Sequence, residues 1–237
     1  MQLKEGEKIS IIGCRAIAQE REILAGHGFP VLSAIMAKRL YNPDLQICFE
    51  SGAIYSNPEH LPHSVSDIIN YRNAQFPLDL PDAFGLLERE ILKTVGISGA
   101  QVDKEGNVNS TFISGEPTKR LPGSGGACDF ASFGTDEYIF MLHEPKRLVN
   151  RVDYITSPGL ISSPKKRITL ITNYGIFSIG RESVQTIALE NQIATEKVKN
   201  QSGFNIKIRS NVRRLDIITE EEVSLLRKID IYKISRR

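Results

Sequence analysis

Glu50 stands directly after a short apolar run, Leu45-Gln-Ile-Cys-Phe49, and opens the tripeptide Glu50-Ser51-Gly52. A run of that length and composition reads as a buried parallel strand, and in open α/β sheets ligands collect at the carboxyl ends of such strands. A carboxylate placed there faces a site, and glutamate, with an unperturbed pKa of about 4.3, is already ionised at neutral pH and needs no base to act as a nucleophile. A bare Glu-Ser-Gly is also what a loop cap or a surface ion pair looks like. The second chemical feature is Leu121-Pro-Gly-Ser-Gly-Gly-Ala-Cys-Asp129. Its glycines let backbone N–H groups come close to a negative oxygen, which suits an oxyanion hole as well as phosphate binding or a plain chain reversal. Gly26-His-Gly28 lacks the Lys-Ser/Thr of a phosphate loop and the full dinucleotide spacing, so no nucleotide site is read from it. Cys48 lies two residues before Glu50 and therefore on the same face of an extended strand; a buried, inert thiol is expected there and at Cys128.

These groups need elements to position them. A strand over 22–25 is followed by Gly26-His-Gly-Phe-Pro30, a glycine turn with a proline placed to begin a helix. Val31, Leu32, Ile35, Met36 and Leu40 then make a helical stripe over 31–40, broken at Asn42-Pro43, before the strand at 45–49. That β-α-β order is the signature of an α/β fold. An earlier helix is predicted over 11–19 with Ser10 as N-cap. Later strands are predicted at 138–142, 152–156, 167–172 and 175–179. Thr219-Glu-Glu-Glu222 is a capping box, and Val223, Leu226 and Ile229 form the buried stripe of the helix it starts.

Composition bounds the rest. The chain has 237 residues, 41% hydrophobic and 24% charged, which is globular composition and excludes collagen-like, disordered and disulfide-rich classes. No apolar run reaches the roughly 18 to 20 residues of a spanning helix, and the charged start lacks the apolar core of a signal peptide, so a cytoplasmic protein is expected. Cys14, Cys48 and Cys128 are an odd number at wide spacing, and His60-x-x-His63 has Pro62 inside it and no ligand partners at metal spacing, so neither disulfides nor a metal site are read. From Pro145 onward eighteen Lys plus Arg face nine Asp plus Glu, leaving twelve against nineteen before it. The basic part can attract phosphates, but aromatics are not interleaved with its basic clusters as nucleic-acid binding would want. Without repeats or an evident linker, one domain over 1–237 is expected.

Taken together, these motifs resemble the β subunit of class I CoA-transferases, of the glutaconate CoA-transferase B type. Glu50-Ser51-Gly52 resembles the family's active-site glutamate motif, and Gly26-His-Gly-Phe-Pro30 its Gly-x-Gly-x-Pro turn. The likeness continues through Gly99-Ala-Gln-Val-Asp103, Gly106-Asn-Val-Asn109, the glycine-rich turn at 121–129, Asp153-Tyr-Ile-Thr-Ser-Pro-Gly159 and Ser202-Gly-Phe204. The resemblance implies an open, mostly parallel sheet flanked by helices, the CoA-transferase (sugar-isomerase-like) fold. It further implies coenzyme A as substrate and covalent carrier, no metal, and a separate α subunit of similar fold in a heterotetramer or larger assembly with the active site at the interface. Glu50 is then the nucleophile that passes through a glutamyl-CoA thioester in ping-pong fashion. The Gly125 and Gly126 backbone supplies oxyanion donors, and Gly26, Gly28, Ser51 and Gly52 line the substrate or CoA path. Relatives on the same scaffold are ring-opening CoA-thioester hydrolases or decarboxylases, and related folds serve as ligand-sensing modules; the retained Glu50 favours transfer.

Overall fold

The computed structural model describes residues 3–236. In it, β1 (Glu22–Ala25) and β2 (Gln46–Cys48) pair in parallel, with Leu24 opposite Cys48, and are joined by a helix over Phe29–Leu40. β3 (Thr94–Ser98) lies on the other side of β1, with Ala25 opposite Gly96, and is followed outward by β4 (Asp136–Phe140) and β5 (Arg167–Thr172), all parallel. β6 (Gly175–Ile179) returns antiparallel, and β7 (Val184–Leu189) turns back again beside it. The two-residue strands β8 (Ile206–Lys207) and β9 (Arg213–Arg214) both run parallel to β7. The spatial order is β8-β7-β6-β5-β4-β3-β1-β2, with β9 also on β7. The sheet is thus α/β and mostly parallel, as expected, with an antiparallel insertion at β6.

Side chains alternate between two packed layers, as strand geometry requires. Ile23, Ala25, Ile47 and Phe49 point to one layer, where α1 (Glu5–Ile17), α2 (Phe29–Leu40) and the C-terminal helix over Glu220–Ile229 bury Ile11, Ile35, Val223, Leu226 and Ile229. Leu24, Cys48, Val95 and Ile97 point to the other, which Ala83, Leu87 and Phe130 cover. The capping box at Thr219 is present: the Thr219 hydroxyl accepts from the Glu222 N–H and Glu222 accepts from the Thr219 N–H.

Two expectations are corrected, and two strands are added. The first helix begins at Glu5, not after Ser10; Ser10 is buried inside it and donates its hydroxyl to the Gly6 carbonyl. The charged opening turn belongs to the helix because Glu7 accepts from the Lys4 N–H and, fully buried, pairs with Arg227 at 2.7 Å. Residues 152–156 are a loop, not a strand. Asp153 accepts from the Ser114 N–H and Thr156 from the Ser110 N–H, so side chains take over the bonding that a ladder would supply. The central strand β3 and the strand β7 have no counterpart in the sequence reading. Gly96 interrupts the apolar signal of β3, yet its bare Cα is what admits Pro30, since a Cβ there would lie 3.0 Å from the proline ring.

α3 (Ile68–Arg72) packs Tyr71 against the layer of α1 and α2, whereas α4 (Leu80–Glu88), α5 (Ala127–Phe133) and the helix over Ile193–Asn200 bury side chains in the other layer. α5 is tied down by a wholly buried Lys166. Its ammonium donates to the carbonyls of Ala131 and Gly134 and pairs with Glu137 of β4 at 2.7 Å. Burial raises the Glu137 carboxyl's pKa and the adjacent ammonium opposes that rise. No helix among the described residues is long and apolar enough to cross a membrane.

Lys166→Ala leaves a buried carboxylate and two carbonyls without their donor, and a loss of about 3–5 kcal/mol in urea unfolding is expected. The apolar pair Lys166→Met with Glu137→Leu should recover most of that loss, and a double variant as unstable as the single one would contradict the account.

Candidate active site

The chain leaves β1 toward β2 on one side, while β3 enters on the other, so the sheet has a topological switch point between β1 and β3. The carboxyl ends of β2, β1 and β3 lie side by side there and open into a cavity of about 210 Å³. Glu50 follows β2, Gly26 and His27 follow β1, and Ser98 ends β3; Ser124, Gly125, Gly126 and Ala127 close the opposite wall.

The loop that carries Glu50 is pinned on both sides. The Gly52 N–H donates to the Phe49 carbonyl and the Phe49 N–H to that of Ala53. Gly52 has φ of 104° and passes so near Leu78 that a Cβ would stand 2.0 Å from its carbonyl oxygen, so the turn requires glycine. Ser51 donates its hydroxyl to the Val65 carbonyl at 2.7 Å, and the Tyr71 hydroxyl donates to the Ser51 carbonyl. The loop is thereby fixed from a second segment, and the Glu50 side chain is left to the cavity.

There its carboxylate meets the glycine turn. The Gly126 backbone amide lies against it, and a Cβ on Gly126 would lie 2.0 Å from Glu50 Oε2 and 2.8 Å from the Phe84 ring. Gly125 has φ of 52°, in the left-handed region, which turns the backbone toward the cavity before α5 begins. Burial is the largest influence on Glu50 and raises its pKa; the adjacent Gly126 backbone N–H lowers it, and the charge of nearby Asp129 raises it again. The net displacement is upward, so the ionised form is less stabilised than in water and correspondingly more reactive.

Of the residues singled out from sequence, Glu50, Gly26, Gly125 and Gly126 meet on this cavity, whereas Gly28, Ser51 and Gly52 do not line it. Gly28 starts α2 with φ of 93°, and the other two hold the Glu50 turn. Cys48 shares the face of Glu50 but is buried in the core, where desolvation pushes its thiol up to about 12. Cys128 is half-buried, its thiol 3.2 Å from Asp129 Oδ2. The polar motifs at 99–109 are architectural. Asp103 accepts from the Glu105 and Asn107 N–H groups, Asn109 donates to Gln101, and the Gly159 N–H donates to Asn107, which clasps the hairpin to the 150s loop. Sequence reasoning missed Ser98 and His27 as wall residues. Recognising β3 would have placed Ser98 at its carboxyl end, and His27 sits within a glycine turn already in view. Among the described residues no group of three or more His, Cys, Asp or Glu is arranged to hold a metal ion.

A carboxylate held against a backbone amide at the switch point of an open α/β sheet is an arrangement that can serve acyl chemistry. Residues 15–200 match the family model for Coenzyme A transferase, and the chain belongs to that family. It is 31% identical to the B subunit of glutaconate CoA-transferase of Acidaminococcus fermentans, over 88% of this chain and 85% of the relative. It is 27% identical to the B subunit of 3-oxoadipate CoA-transferase of Pseudomonas knackmussii, over 94% and 92% of the two chains. The crystal structure of glutaconate coenzyme A-transferase from Acidaminococcus fermentans superposes with a TM-score of 0.83 at 28% identity, covering 96% of this chain and 95% of that one. A decarboxylase crystal structure shares the fold with a TM-score of 0.80 at 21% identity over 99% and 98% of the chains.

Gly126→Ala keeps an ordinary backbone conformation, with φ of −80°, but drives a methyl group into the Glu50 carboxylate. The expected outcome is a fall of at least about 100-fold in turnover, the scale of losing one preorganised donor. The thermal midpoint should move much less than in Gly52→Ala, which strains the backbone itself.

Proposed function

We propose that the chain is the β subunit of an acyl-CoA:carboxylate CoA-transferase in which Glu50 is the covalent nucleophile. The observation that carries this reading is the part-buried Glu50 carboxylate, held against the Gly126 N–H with its pKa raised. A Glu50 oxygen attacks the thioester carbonyl carbon; as the tetrahedral oxyanion collapses, the carbon–sulfur bond breaks and CoA leaves as thiolate, with an acyl-glutamyl anhydride left behind. The thiolate then attacks the glutamyl carbon, the anhydride carbon–oxygen bond breaks, and the first acid departs as carboxylate, leaving a glutamyl-CoA thioester. An acceptor carboxylate repeats the sequence in reverse, forming its own anhydride, and the returning thiolate takes its acyl group and frees Glu50. Charge balances at each step without a metal or a general base.

Because the Gly126 N–H touches Glu50 itself, it is best placed for the steps in which the oxyanion forms on the glutamyl carbon. The Gly125 backbone, beside it on the wall, is the donor assigned to the oxyanion of the bound acyl group. A cavity of about 210 Å³ fits a thioester and a short acyl chain. Ligand sites that enclose their ligand run to about 300–1,000 Å³, so the remaining wall is assigned to a separate α subunit of similar fold, in a heterotetramer or larger. Both relatives are named as B subunits of their enzymes, which supports the same assignment. Exposed Phe76 and Leu80, on the segment that also contacts the Gly52 turn, offer apolar surface for that contact. With the α subunit in place water is kept from the anhydride, and alone this chain is expected to be inert.

A second reading, a decarboxylase or CoA-thioester hydrolase subunit, draws on the decarboxylase that shares the fold and on His27, a base beside Glu50 in the cavity. That chemistry needs no covalent glutamyl species, and a sensing module needs none either.

The assembled complex, incubated with acyl-CoAs and no acceptor acid, should carry a CoA adduct, or its borohydride-reduced product, on the peptide containing Glu50. Glu50→Ala should abolish it together with at least about 1,000-fold of the turnover. CoA or carbon dioxide released without a label would instead favour the second reading. Ionised Glu50 is the reactive form and its pKa is raised, so labelling should decline with falling pH from above the ordinary glutamate range.

A further inference from the structure

Between α1, the outer strands β6 and β7, and the segment that links β9 to the C-terminal helix, a groove of about 390 Å³ opens, floored by the buried Ile176 and Ala188. Three large apolar side chains stand in water along it: Ile217 is 91% exposed, Ile187 48% and Tyr41 47%. A cluster of that kind marks a contact surface. The exposure of Ile217 is built into the fold. Arg15 donates to the carbonyls of Asp216 at 2.6 Å and Ile217 at 3.0 Å and to the Glu222 carboxylate at 2.6 and 2.7 Å, and Tyr41 donates its hydroxyl to the same carboxylate at 2.6 Å. The backbone that carries Ile217 is therefore held in place while its side chain has almost nothing to pack on. Fixing a contact residue in advance lowers the ordering cost of association.

The charges beside Ile217 point to the occupant. Arg213 and Asp216 are exposed, line the groove, and have no hydrogen-bond or ion-pair partner for their side chains among the described residues. One patch thus holds a projecting apolar side chain next to an apolar hollow, and a cation next to an anion, each the complement of the other. That is the property an isologous contact needs, because a two-fold axis brings Ile217 of either copy to the groove of the other and forms the Arg213–Asp216 pair twice. A small molecule would fill the groove and leave Ile217 in water. The α subunit is assigned to the Glu50 cavity, at the carboxyl ends of β1, β2 and β3. β6 stands four strands from β1, roughly 19 Å across the sheet, and the groove opens on the opposite layer from that cavity.

We propose that this groove is where two copies of the chain meet about a two-fold axis, with Ile217 of each seated against Ile176 and Ile187 of the other. The contact joins two αβ units into a heterotetramer without touching either Glu50 site. It rests on the functional reading only in that an α subunit is expected in the particle.

The test is native mass spectrometry with sedimentation of the assembled complex at micromolar concentration. Particles holding two copies of this chain are expected. Ile217→Asp, at a position with little packing to lose, should yield particles with one copy and the α subunit still bound. Arg213→Asp and Asp216→Arg should each weaken the contact between copies at least about tenfold by setting like charges opposite one another, and the double variant should return it to within about threefold. One copy per particle in the unsubstituted complex, or two retained in Ile217→Asp, overturns the proposal. Loss of the α subunit in Ile217→Asp overturns it as well and assigns the groove to that subunit. A double variant as weak as the single ones overturns the two-fold pairing. Failure of the transferase reading shows separately, as the absence of a Glu50 adduct, and leaves these masses unchanged.

Discussion

The close approach of the Gly126 backbone amide to the Glu50 carboxylate ties the two halves of the site together, and it is possible because position 126 has no side chain. Two distant loops must come within van der Waals contact there, one at the end of β2 and one at the start of α5. Each is fixed from behind. The Gly52 turn is clamped by Leu78, Val65 and Tyr71, and α5 is held at its far end by Lys166, which commits an ammonium buried in the core to two carbonyls and one carboxylate. Both arrangements concentrate stabilising contacts on segments that would otherwise be free to drift, which is what preorganised electrostatics requires. Burial supplies the other half of the effect, because the same desolvation that raises the Glu50 pKa strengthens each hydrogen bond it accepts.

Much of this is legible in the sequence, for identifiable reasons. The strand before Glu50 announces itself by continuous apolar residues, and the helix over Glu220–Ile229 by a capping box and a stripe at helical spacing. Both signals are local, and both elements form close to where those signals place them. The glycine-rich turn at 121–129 is legible as a place where backbone N–H groups can approach a negative oxygen, but its composition suits phosphate binding or a chain reversal equally, and the donor role of Gly125 and Gly126 comes with the family resemblance. What the sequence conceals depends on partners far along the chain. The first helical turn looks solvated until Arg227 is placed opposite Glu7, 220 residues away. The loop at 152–156 has the residues of a strand, but its neighbours bond to its side chains. β3 carries a glycine in its middle that only the packing of Pro30 explains.

The polar motifs at 99–109 carry a different lesson. Gln101, Asp103, Asn107 and Asn109 look like a catalytic constellation when written as a string, four amide or carboxylate side chains in nine residues. In the fold their polar atoms bond to one another and to the backbone of the loops at 110–114 and 150–159. Their density reflects the difficulty of burying two irregular loops against a sheet, where every backbone group needs a partner. Ser98 stands as the contrast: a buried hydroxyl on the cavity wall with no hydrogen-bond partner among the described residues.

The ends of the sheet bear on how a second chain can approach it. β2 is the outermost strand on the side of Glu50 and contributes only three residues, with its outer rim already bridged from Ile47 to Ser56, while β8 at the far side is two residues long. Neither rim offers the row of free backbone groups that strand addition requires. The sheet is therefore closed to growth by backbone pairing, and with it to the edge-to-edge association that leads to aggregation. Recognition of another chain is left to side-chain surfaces, which can be complementary to one partner alone.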